Sequence, residues 1–452
     1  MNLESKIAKK TARVAVVGLG YVGLPLAIEF AREGFSVTGI DIDQRKIASL
    51  NRGVSYIPDV ATQDVQALSK KKKFGATDNF KNLAEVDVIF ICVPTPFDEM
   101  KAPDLKPVIS ATQSIAPHLR AGQLVILQST TYPGTTEEVC LPILETSGLK
   151  AGKDFHLAFS PERIDPGSTH SQGWNVKNTP KTLGGLTPRC TAVAKALLVH
   201  LTPQVFVVSS PRAAEMSKLL ENIFRSVNIA LVNELALLSE RMDIDFWEVI
   251  EAAKTKPFGF MAFYPSAGVG GHCIPVDPYY LSWKAREYDF YTKFIELAAE
   301  LNQSMPYHVV NLAKDALGRR GRSLQTARVL VLGVAFKPGV DDARNSPAER
   351  VIELLLNAGA QVRYHDPFVP KFHIGGNVFH RARSEFESIK LTRAELRADD
   401  IVIIVTAHKT VNYKLVVDNA RLVVDSANAT KGLGHAEKIF RIGAPMPREN
   451  KR

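Results

Sequence analysis

The stretch from Arg13 to Gly34, RVAVVGLGYVGLPLAIEFAREG, constrains the fold of this chain more than any other. It begins with an apolar run that predicts a buried strand, and it ends with apolar residues at helical spacing. Gly18, Gly20 and Gly23 lie between the two, where glycine permits a tight turn and lets a ligand reach the N–H groups that begin the helix. The pattern predicts a parallel α/β sheet whose first strand and helix hold a dinucleotide.

An acidic residue after the next strand supports this interpretation over a glycine turn without a ligand. The run SVTGIDID carries Asp41, eighteen residues beyond Gly23, where a carboxylate can accept hydrogen bonds from the ribose of an adenosine. Because a carboxylate there repels a 2′-phosphate, the sequence favours NAD over NADP. Lys46 is the exception, since it could attract a phosphate, although a solvated helix lysine is the simpler interpretation.

The order of apolar runs along the chain predicts the domain organisation. VDVIFICVPTP, QLVILQST, DFHLAFSPE and VFVVSS continue the strands of a first domain, and ARVLVLGVAF, AQVRYHD, DDIVIIVTA and RLVVDSAN form a second set. Between them the long helical stretch from Pro211 is apolar on nearly every side. We therefore predict an α/β fold in which two Rossmann-like doubly wound parallel-sheet domains, residues 1–210 and 319–452, are joined by a long-helix central region, residues 211–318. The second domain has GVAFKPG where the first has its three glycines, so we do not expect a dinucleotide there.

Composition and charge exclude several classes of function. The net charge is +9, but the basic residues are dispersed without a nucleic-acid-binding signature, and a positive field would also favour an anionic cofactor and substrate. No run of 18 apolar residues occurs, and the first residues lack a signal-peptide pattern, so we expect a soluble, cytoplasmic protein. The four cysteines are far apart with no CxxC pair, which predicts neither a disulfide framework nor a metal site.

One cysteine has an unusual setting. Cys273 lies in GVGGHCIPVDPYYL, where glycine and proline predict a loop and the pair Gly270 and Gly271 permits a close approach of the backbone to a ligand. His272 and Asp277 do not complete a zinc spacing with it. In a dehydrogenase, a thiolate can add to an aldehyde, so that hydride loss gives a thioester that water cleaves. The alternatives are a structural thiol and a two-electron enzyme.

The chain resembles the UDP-glucose/GDP-mannose dehydrogenase family, the NAD-dependent nucleotide-sugar 6-dehydrogenases, over almost its whole length. The segments that carry the resemblance occur in the family's order: GLGYVGLPLA, CVPTP, QSTTYPG, SPERIDPG, EMSKLLEN, KPFGFMAFYPSAGVGGHCIPVDPYYLSWKAREY and GVAFKPGVDDARNSPA. SPERIDPG and the cysteine loop are most similar to the branch that acts on UDP-N-acetylglucosamine or UDP-N-acetylmannosamine, and KTKPFGFM and LSWKAREY favour UDP-N-acetylglucosamine. The resemblance implies four-electron oxidation of the C6 alcohol to a UDP-uronic acid for surface polysaccharide synthesis.

The resemblance also implies roles for matching residues. Cys273 becomes the nucleophile, and Asp277 positions or activates the hydrolytic water. Lys218 and Asn222, one helical turn apart, stabilise the oxyanion and hold the sugar. The alternative for these two is an ordinary lysine and amide on a helix surface.

The remaining implied roles concern water, sugar and nucleotide. Thr130 and Glu162 hold a catalytic water, with Glu162 a candidate general base; the alternatives are a strand-end hydroxyl and a solvated acid. The role of Asp165 is left open, because glucose-type members of the family usually carry their second acid at the position where Pro166 stands. Lys337 and Arg344 contact the nucleotide diphosphate. The sugar site is lined by Phe263, Tyr264 and Gly270. The residues that bind the cofactor are Gly18, Gly20, Tyr21, Val22, Gly23, Asp41, Lys46, Thr95 and Thr130.

The family also implies a homodimer or higher homo-oligomer built on the helix from Pro211. A UDP-N-acetylmannosamine or UDP-glucose 6-dehydrogenase is the nearest alternative activity. A two-electron hydroxyacid-type dehydrogenase would share the fold and need no thiol, and a protein that binds NAD without turnover is the non-enzymatic alternative.

Overall fold

The computed structural model describes residues 2–98, 100–164 and 173–447. The chain forms two compact units. The first comprises Met1–Glu221 and Tyr279–Phe290, and the second comprises Asn222–Pro278 and Tyr291–Arg452. Asp165 and the end of the SPERIDPG segment lie outside the described residues.

The first unit contains an eight-stranded sheet in the order β3-β2-β1-β4-β5-β6-β7-β8. Its pairs are parallel except for the antiparallel pair β6 and β7. The strands are β1 (Arg13–Val17), β2 (Ser36–Ile40), β3 (Phe74–Thr77), β4 (Val88–Ile91), β5 (Leu124–Leu127), β6 (His156–Phe159), β7 (Lys181–Gly185) and β8 (Val205–Val207).

Helices cover both faces of this sheet, which explains why its central strands are apolar throughout rather than alternating. Val14 and Val16 of β1 belong to one apolar cluster, and Ala15 and Val17 belong to another on the opposite face. The helices preceding the long helix are α1 (Leu3–Ala8), α2 (Gly23–Arg32), α3 (Gln44–Asn51), α4 (Thr62–Lys70), α5 (Lys106–Ile115), α6 (Leu141–Glu145) and α7 (Pro188–Leu198).

The second unit is built on a five-stranded parallel sheet in the order β10-β9-β13-β14-β15, with a separate antiparallel pair, β11 and β12. The strands are β9 (Arg328–Leu332), β10 (Gln361–His365), β11 (Lys371–Ile374), β12 (Ser384–Glu387), β13 (Ile401–Ile404), β14 (Val423–Asp425) and β15 (Ile439–Arg441). The remaining helices are α8 (Pro211–Arg241), α9 (Phe246–Lys254), α10 (Asp277–Ala285), α11 (Lys293–Gly318), α12 (Pro347–Asn357), α13 (Arg393–Ala398) and α14 (Tyr413–Asn419). The helices α8 and α10 each contain a boundary between the units.

The predicted fold class is confirmed: two mostly parallel α/β sheets occur in the predicted parts of the chain, with a 31-residue helix between them in sequence. The division into three sequence regions stays a prediction. Within the described ranges, no helix is both long and apolar enough to cross a membrane.

Candidate active site

The loop Gly18–Gly23 follows β1, at the point where the strand order of the first sheet reverses. Gly18 has a φ of 92°, and a Cβ there would lie 2.4 Å from the carbonyl oxygen of Cys92. A Cβ on Gly23 would lie 1.8 Å from the carbonyl oxygen of Gly18, so helix and loop pack too closely for any side chain. At Gly20, by contrast, a Cβ would meet nothing within 4 Å. The loop is therefore tightly packed at both ends and open in the middle, which fits a bound pyrophosphate.

Asp41 lies directly after β2 and is 7% exposed. Its carboxylate accepts hydrogen bonds from the N–H of Leu19 at 2.8 Å and of Asp43 at 2.9 Å. Lys46 also pairs with it, at 3.2 Å. The lysine thus has a partner other than a phosphate, and Asp41 stands where the sequence predicts the ribose contact.

A cavity of about 430 Å³ in the first unit brings together part of the cofactor loop and one predicted catalytic residue. Tyr21 and Val22 line it on one side, and Glu162 and Ile164 line it on another. Thr95, another predicted cofactor residue, is buried in the loop after β4, and its carbonyl oxygen accepts a hydrogen bond from the hydroxyl of Tyr280. Sequence reasoning did not single out Tyr280, whose partner is distant along the chain.

Glu162 is surrounded by hydrogen-bond donors. Gln128 donates to its Oε2 at 2.9 Å, and the ammonium of Lys181, itself 2% exposed, lies 3.2 Å from the same oxygen. The N–H groups of Arg163 and Ile164 donate to Oε1. Burial raises the pKa of Glu162, but the charge of Lys181 and these donors outweigh burial, so the pKa is lowered. The carboxylate is held ionised, which weakens it as a general base.

Thr130 is partly buried and follows β5. The turn after it is fixed by Glu215, a residue of α8 that is 0% exposed. Its carboxylate accepts from the N–H of Gly134 at 2.6 Å and from the N–H and hydroxyl of Thr136 at 2.9 and 2.7 Å. Burial raises the pKa of Glu215. The sequence analysis missed this residue, although a buried acid three positions before Lys218 on a predicted helix was a possible signal.

Lys218 is only 9% exposed, unlike the surface lysine of the alternative interpretation. Within the described residues, no carboxylate lies within ion-pair distance of its ammonium. Burying a lysine without a charged partner is costly unless a ligand or solvent compensates it. This lysine therefore fits the contact with an anionic group.

Cys273 belongs to the second unit, in the turn that leads into α10, where its carbonyl oxygen accepts from the N–H of Asp277 at 2.8 Å. Its side chain is exposed, whereas Cys92, Cys140 and Cys190 are buried. Burial raises the pKa of Cys92, and it raises the pKa of Cys140 to about 12. The exposed cysteine is thus the one that the sequence favoured as a nucleophile.

Asp277 and Asn222 are brought together in the second unit. The Asn222 amide donates to Oδ2 of Asp277 at 2.5 Å, and both side chains are buried. The sequence paired Asn222 with Lys218 and did not predict this contact. An amide donor orients the carboxylate four residues after Cys273.

The glycine pair before Cys273 has a packing role. A Cβ on Gly270 or Gly271 would lie 2.9 Å from the side chain of Phe336, and Gly271 has a φ of 91°. The amide of Asn345 also donates to the carbonyl oxygen of Gly271 at 3.1 Å. The close approach that we expected for a ligand is made by residues of the second unit itself, which joins the cysteine loop to the segment around Lys337.

Lys337 and Arg344 follow β9. The Lys337 ammonium lies 5.4 Å from the centre of the Phe336 ring, and the Arg344 guanidinium is paired with Asp342. Burial lowers the pKa of His272, and the charge of Arg344 adds to this effect. At neutral pH His272 is therefore uncharged, which suits an orienting or packing role.

The two predicted aromatic residues have partners within the second unit. Phe263 packs edge-on against Phe224, with ring centres 5.7 Å apart. Tyr264 stacks on Trp247 at 5.9 Å, and its hydroxyl donates to Glu251 at 2.8 Å. Both side chains thus have ordinary packing partners, and Tyr264 in particular is held by a ring contact and a hydrogen bond.

Three sequence models of the UDP-glucose/GDP-mannose dehydrogenase family match the chain. The NAD binding domain matches residues 12–202, the central domain matches residues 212–304, and the UDP binding domain matches residues 330–432. The NAD binding domain thus covers the glycine loop and Asp41, and it indicates NAD as the cofactor.

The chain is similar to named proteins of several organisms. A UDP-N-acetyl-D-glucosamine 6-dehydrogenase of Pseudomonas aeruginosa is 41% identical over 362 residues, which cover 80% of this chain and 84% of that protein. A UDP-N-acetyl-D-mannosamine dehydrogenase of Pyrococcus horikoshii is 36% identical, over 93% of this chain and 96% of that protein. The solved structure of a UDP-D-ManNAc dehydrogenase from Pyrococcus horikoshii has a TM-score of 0.85 at 33% identity and covers 95% of this chain and 99% of that one.

Proposed function

Because this chain belongs to the UDP-glucose/GDP-mannose dehydrogenase family of NAD-dependent nucleotide-sugar dehydrogenases, we propose that it oxidises the C6 alcohol of UDP-N-acetylglucosamine to the carboxylate. The product would be a UDP-linked uronic acid for surface polysaccharide synthesis. The observation that carries the proposal is the exposed thiol of Cys273 in the turn before α10, whose carbonyl oxygen accepts from the N–H of Asp277, the buried partner of Asn222. The relative with 41% identity supports the glucosamine configuration.

The cofactor would be held by the loop Gly18–Gly23 and by Asp41. Bound NAD⁺ supplies the hydride acceptor for both oxidation steps. Gly20 leaves room for the pyrophosphate, and the carboxylate of Asp41 accepts hydrogen bonds from the ribose hydroxyls. Because Asp41 is negative and Lys46 is already paired with it, a 2′-phosphate is disfavoured there.

Cys273 provides the covalent step. Loss of a hydride and a proton converts the C6 alcohol to an aldehyde. The thiolate then adds to the aldehyde carbon, forming a C–S bond, and the carbonyl oxygen takes a proton to give a thiohemiacetal. Loss of a second hydride and a proton leaves a thioester, and water cleaves the C–S bond to release the acid and the thiol. The balance consumes two NAD⁺ and one water for each alcohol.

Several polar residues have individual roles in this proposal. Asp277, oriented by Asn222, accepts a proton from the water that attacks the thioester. The buried ammonium of Lys218 stabilises negative charge that develops on the substrate oxygen. Thr130 and Glu162 orient water, and the ionised Glu162 acts as an acceptor rather than a strong base.

The nucleotide part of the substrate would be bound by the second unit. The UDP binding domain of the family matches the region that contains Lys337 and Arg344. Both cations suit phosphate oxygens, and Arg344 would exchange part of its pairing with Asp342 for the diphosphate. Phe263 and Gly270 would line the sugar site from the segment before Cys273.

The experiment that tests this function counts NADH formed per sugar consumed with UDP-N-acetylglucosamine, UDP-N-acetylmannosamine and UDP-glucose. We expect two NADH for each UDP-N-acetylglucosamine and none in Cys273→Ser. Cys140→Ser is the matched control, because serine can still accept the hydrogen bond that Thr112 donates to this buried position. One NADH per sugar with Cys273→Ser unimpaired would establish a two-electron dehydrogenase instead. A preference for UDP-N-acetylmannosamine or UDP-glucose would contradict the proposed substrate and leave the reaction class unchanged.

A further inference from the structure

Three adjacent strands of the second sheet end at the same edge, and the residues after them are in contact. β9 lies between β10 and β13, and all three are parallel. Asp366 follows β10, the loop Val334–Gly339 follows β9, and His408 follows β13. The loop in the middle carries Lys337, which the proposed function assigns to the diphosphate.

Asp366 is fixed by backbone donors. The N–H groups of Val334 and Ala335 donate to Oδ2 at 2.8 and 3.0 Å, and those of Phe368 and Val369 donate to Oδ1 at 2.8 and 3.1 Å. The side chain is 0% exposed. It therefore holds the first residues of the loop as a fixed buried anchor.

His408 is also 0% exposed, and it links this anchor to the other end of the loop. Its Nε2 lies 3.0 Å from Oδ2 of Asp366, and its Nδ1 lies 3.1 Å from the backbone nitrogen of Gly339. The Gly339 N–H can only donate, so Nδ1 must be the unprotonated acceptor. The ring is therefore neutral, with its hydrogen on Nε2, and it donates to the carboxylate.

The loop is thus tied on both sides of Lys337. The hydroxyl of Thr406 donates to the carbonyl oxygen of Ala335 at 2.7 Å, two residues before Lys337. His408 holds Gly339 two residues after it. Gly339 has a φ of 80°, so this turn is one that residues other than glycine rarely adopt.

The corresponding strand ends of the first sheet carry a similar arrangement with a different partner for the aspartate. There Asp41 follows β2 as Asp366 follows β10, and it accepts from the N–H of Leu19 in the loop after β1. At Gly20 in that loop, the space is open. In the second sheet, Asp366 pairs with His408, which follows the strand on the far side of β9, whereas in the first sheet Asp41 pairs with Lys46 from the helix after its own strand.

We propose that His408 is a positioning residue for the sugar nucleotide: by accepting the hydrogen bond of Gly339, it fixes the loop that presents Lys337 to the diphosphate. This inference rests on the proposed role of Lys337 in nucleotide binding. It assigns to the second unit a histidine that acts through the loop and does not touch substrate.

Two conservative variants separate the two hydrogen bonds of His408. In His408→Asn the side-chain oxygen stands near the place of Nδ1 and can still accept from Gly339, while the donor to Asp366 is lost. In His408→Gln the amide stands near the place of Nε2 and can still donate to Asp366, while the acceptor for Gly339 is lost. Binding of UDP, measured by titration calorimetry, should stay near wild type in His408→Asn and weaken about fivefold in His408→Gln, since one hydrogen bond is worth about 1 kcal/mol.

Binding of NAD⁺ and the melting temperature serve as controls, because Asp41 and the glycine loop belong to the other unit. NAD⁺ affinity unchanged in both variants, together with the expected difference in UDP affinity, supports the inference. Equal UDP affinity in the two variants, whether near wild type or reduced, overturns it. If His408→Gln does not fold, Thr406→Val, which removes the other tie of the loop with a side chain of the same shape, should weaken UDP binding several-fold, and unchanged binding would overturn the inference.

Lys337→Met distinguishes this inference from the function on which it rests. If that variant binds UDP as wild type does, the proposed role of Lys337 fails. If it weakens UDP binding and His408→Gln does not, only the inference fails. In the double variant, His408→Gln should weaken UDP binding no further, because its effect passes through Lys337.

Discussion

Glu162 shows how a single carboxylate is adapted by its neighbours. The sequence places it after a strand of the first sheet and offers it as a general base. In the structure, Lys181 and Gln128 approach one oxygen, and two backbone N–H groups approach the other. These four donors use the acceptor sites of a carboxylate in full. Such a group can orient a neighbouring water only by exchanging one of these donors for it, and it takes up a proton poorly.

This pairing predicts a pH-dependent contribution to stability. Burial raises the pKa of Glu162, but Lys181 and the other donors together lower it below its ordinary value of 4.5. A lowered folded-state pKa stabilises the fold above the unfolded value, and this stabilisation is lost as the pH falls through the folded value. Glu162→Gln leaves Lys181 buried without its partner, so it should lower the free energy of unfolding by about 3 kcal/mol at pH 7 and by clearly less near pH 4.

Urea unfolding at the two pH values measures this difference. Glu385→Gln is the control, because Glu385 pairs with Lys371 on the surface and should contribute little at either pH. If Glu162→Gln destabilised the protein equally at both pH values, the ion pair would not be the source of its effect.

At the residue scale, the sequence predicts groups within local motifs and misses partners that are distant in the chain. The position of Asp41 follows from its spacing to Gly23, because both belong to one strand–helix–strand unit. The contacts that fix Glu162, the turn after Thr130 and the loop after β9 come from Lys181, Glu215 and His408. Only the order of strands in the sheets brings these residues together, and the apolar pattern does not give that order.

At the scale of elements, the three glycines of the loop after β1 are needed for different physical reasons. Gly23→Ala would place a Cβ 1.8 Å from a backbone oxygen, and Gly20→Ala would place one in open space. We therefore expect Gly23→Ala to lower the melting temperature markedly, with a cost above about 2 kcal/mol from overpacking, while Gly20→Ala melts as wild type does. Gly20→Ala should instead weaken NAD⁺ binding, because its methyl group occupies the space left for the pyrophosphate.

Thermal unfolding and fluorescence titration with NAD⁺ measure the two effects, and each variant is the control for the other. A normal melting temperature in Gly23→Ala would contradict the packing that the structure shows. Unchanged NAD⁺ affinity in Gly20→Ala would show that the cofactor does not bind against this loop.

Most strands that the sequence predicts contain an apolar run, whereas β3, β7 and β12, which it misses, do not. The core strands β1, β4, β5, β9 and β13 are buried on both faces, so their residues are apolar at every buried position. β3 has the sequence FGAT, β7 has KTLGG, and β12 has SEFE. Glycine, lysine and glutamate in short strands give no hydrophobic period, and backbone pairing with neighbours in the sheet decides their conformation instead.

At the scale of the whole molecule, the two sheets apply one architecture to two purposes. Each has a glycine with positive φ after its first strand, packed against a carbonyl oxygen of the strand on one side, and an aspartate after the strand on the other side. In the first sheet the glycine loop is open at Gly20, and in the second a buried histidine holds both the aspartate and the far end of the loop. The two sheets therefore share this arrangement of residues without sharing a binding site. This agrees with the match of one unit to an NAD binding domain and of the other to a UDP binding domain.

The long helix α8 gives the last prediction. Large apolar side chains recur along it with spacings of three, four and seven residues and are exposed in the single chain: Met216, Leu220, Phe224, Leu231, Leu235 and Leu238. Such a stripe favours pairing with a second copy of the chain, as in a two-helix seam, and we propose that α8 is the core of a homodimer.

Sedimentation should give about twice the chain mass of 49.7 kDa for the wild type and the single-chain mass for Leu231→Glu with Leu235→Glu. Val378→Glu, at a side chain that is 85% exposed in the second unit, adds a charge away from α8 and should remain dimeric. A wild-type protein that sediments as a monomer at micromolar concentration would contradict the dimer, and a double variant that keeps the wild-type mass would place the interface elsewhere.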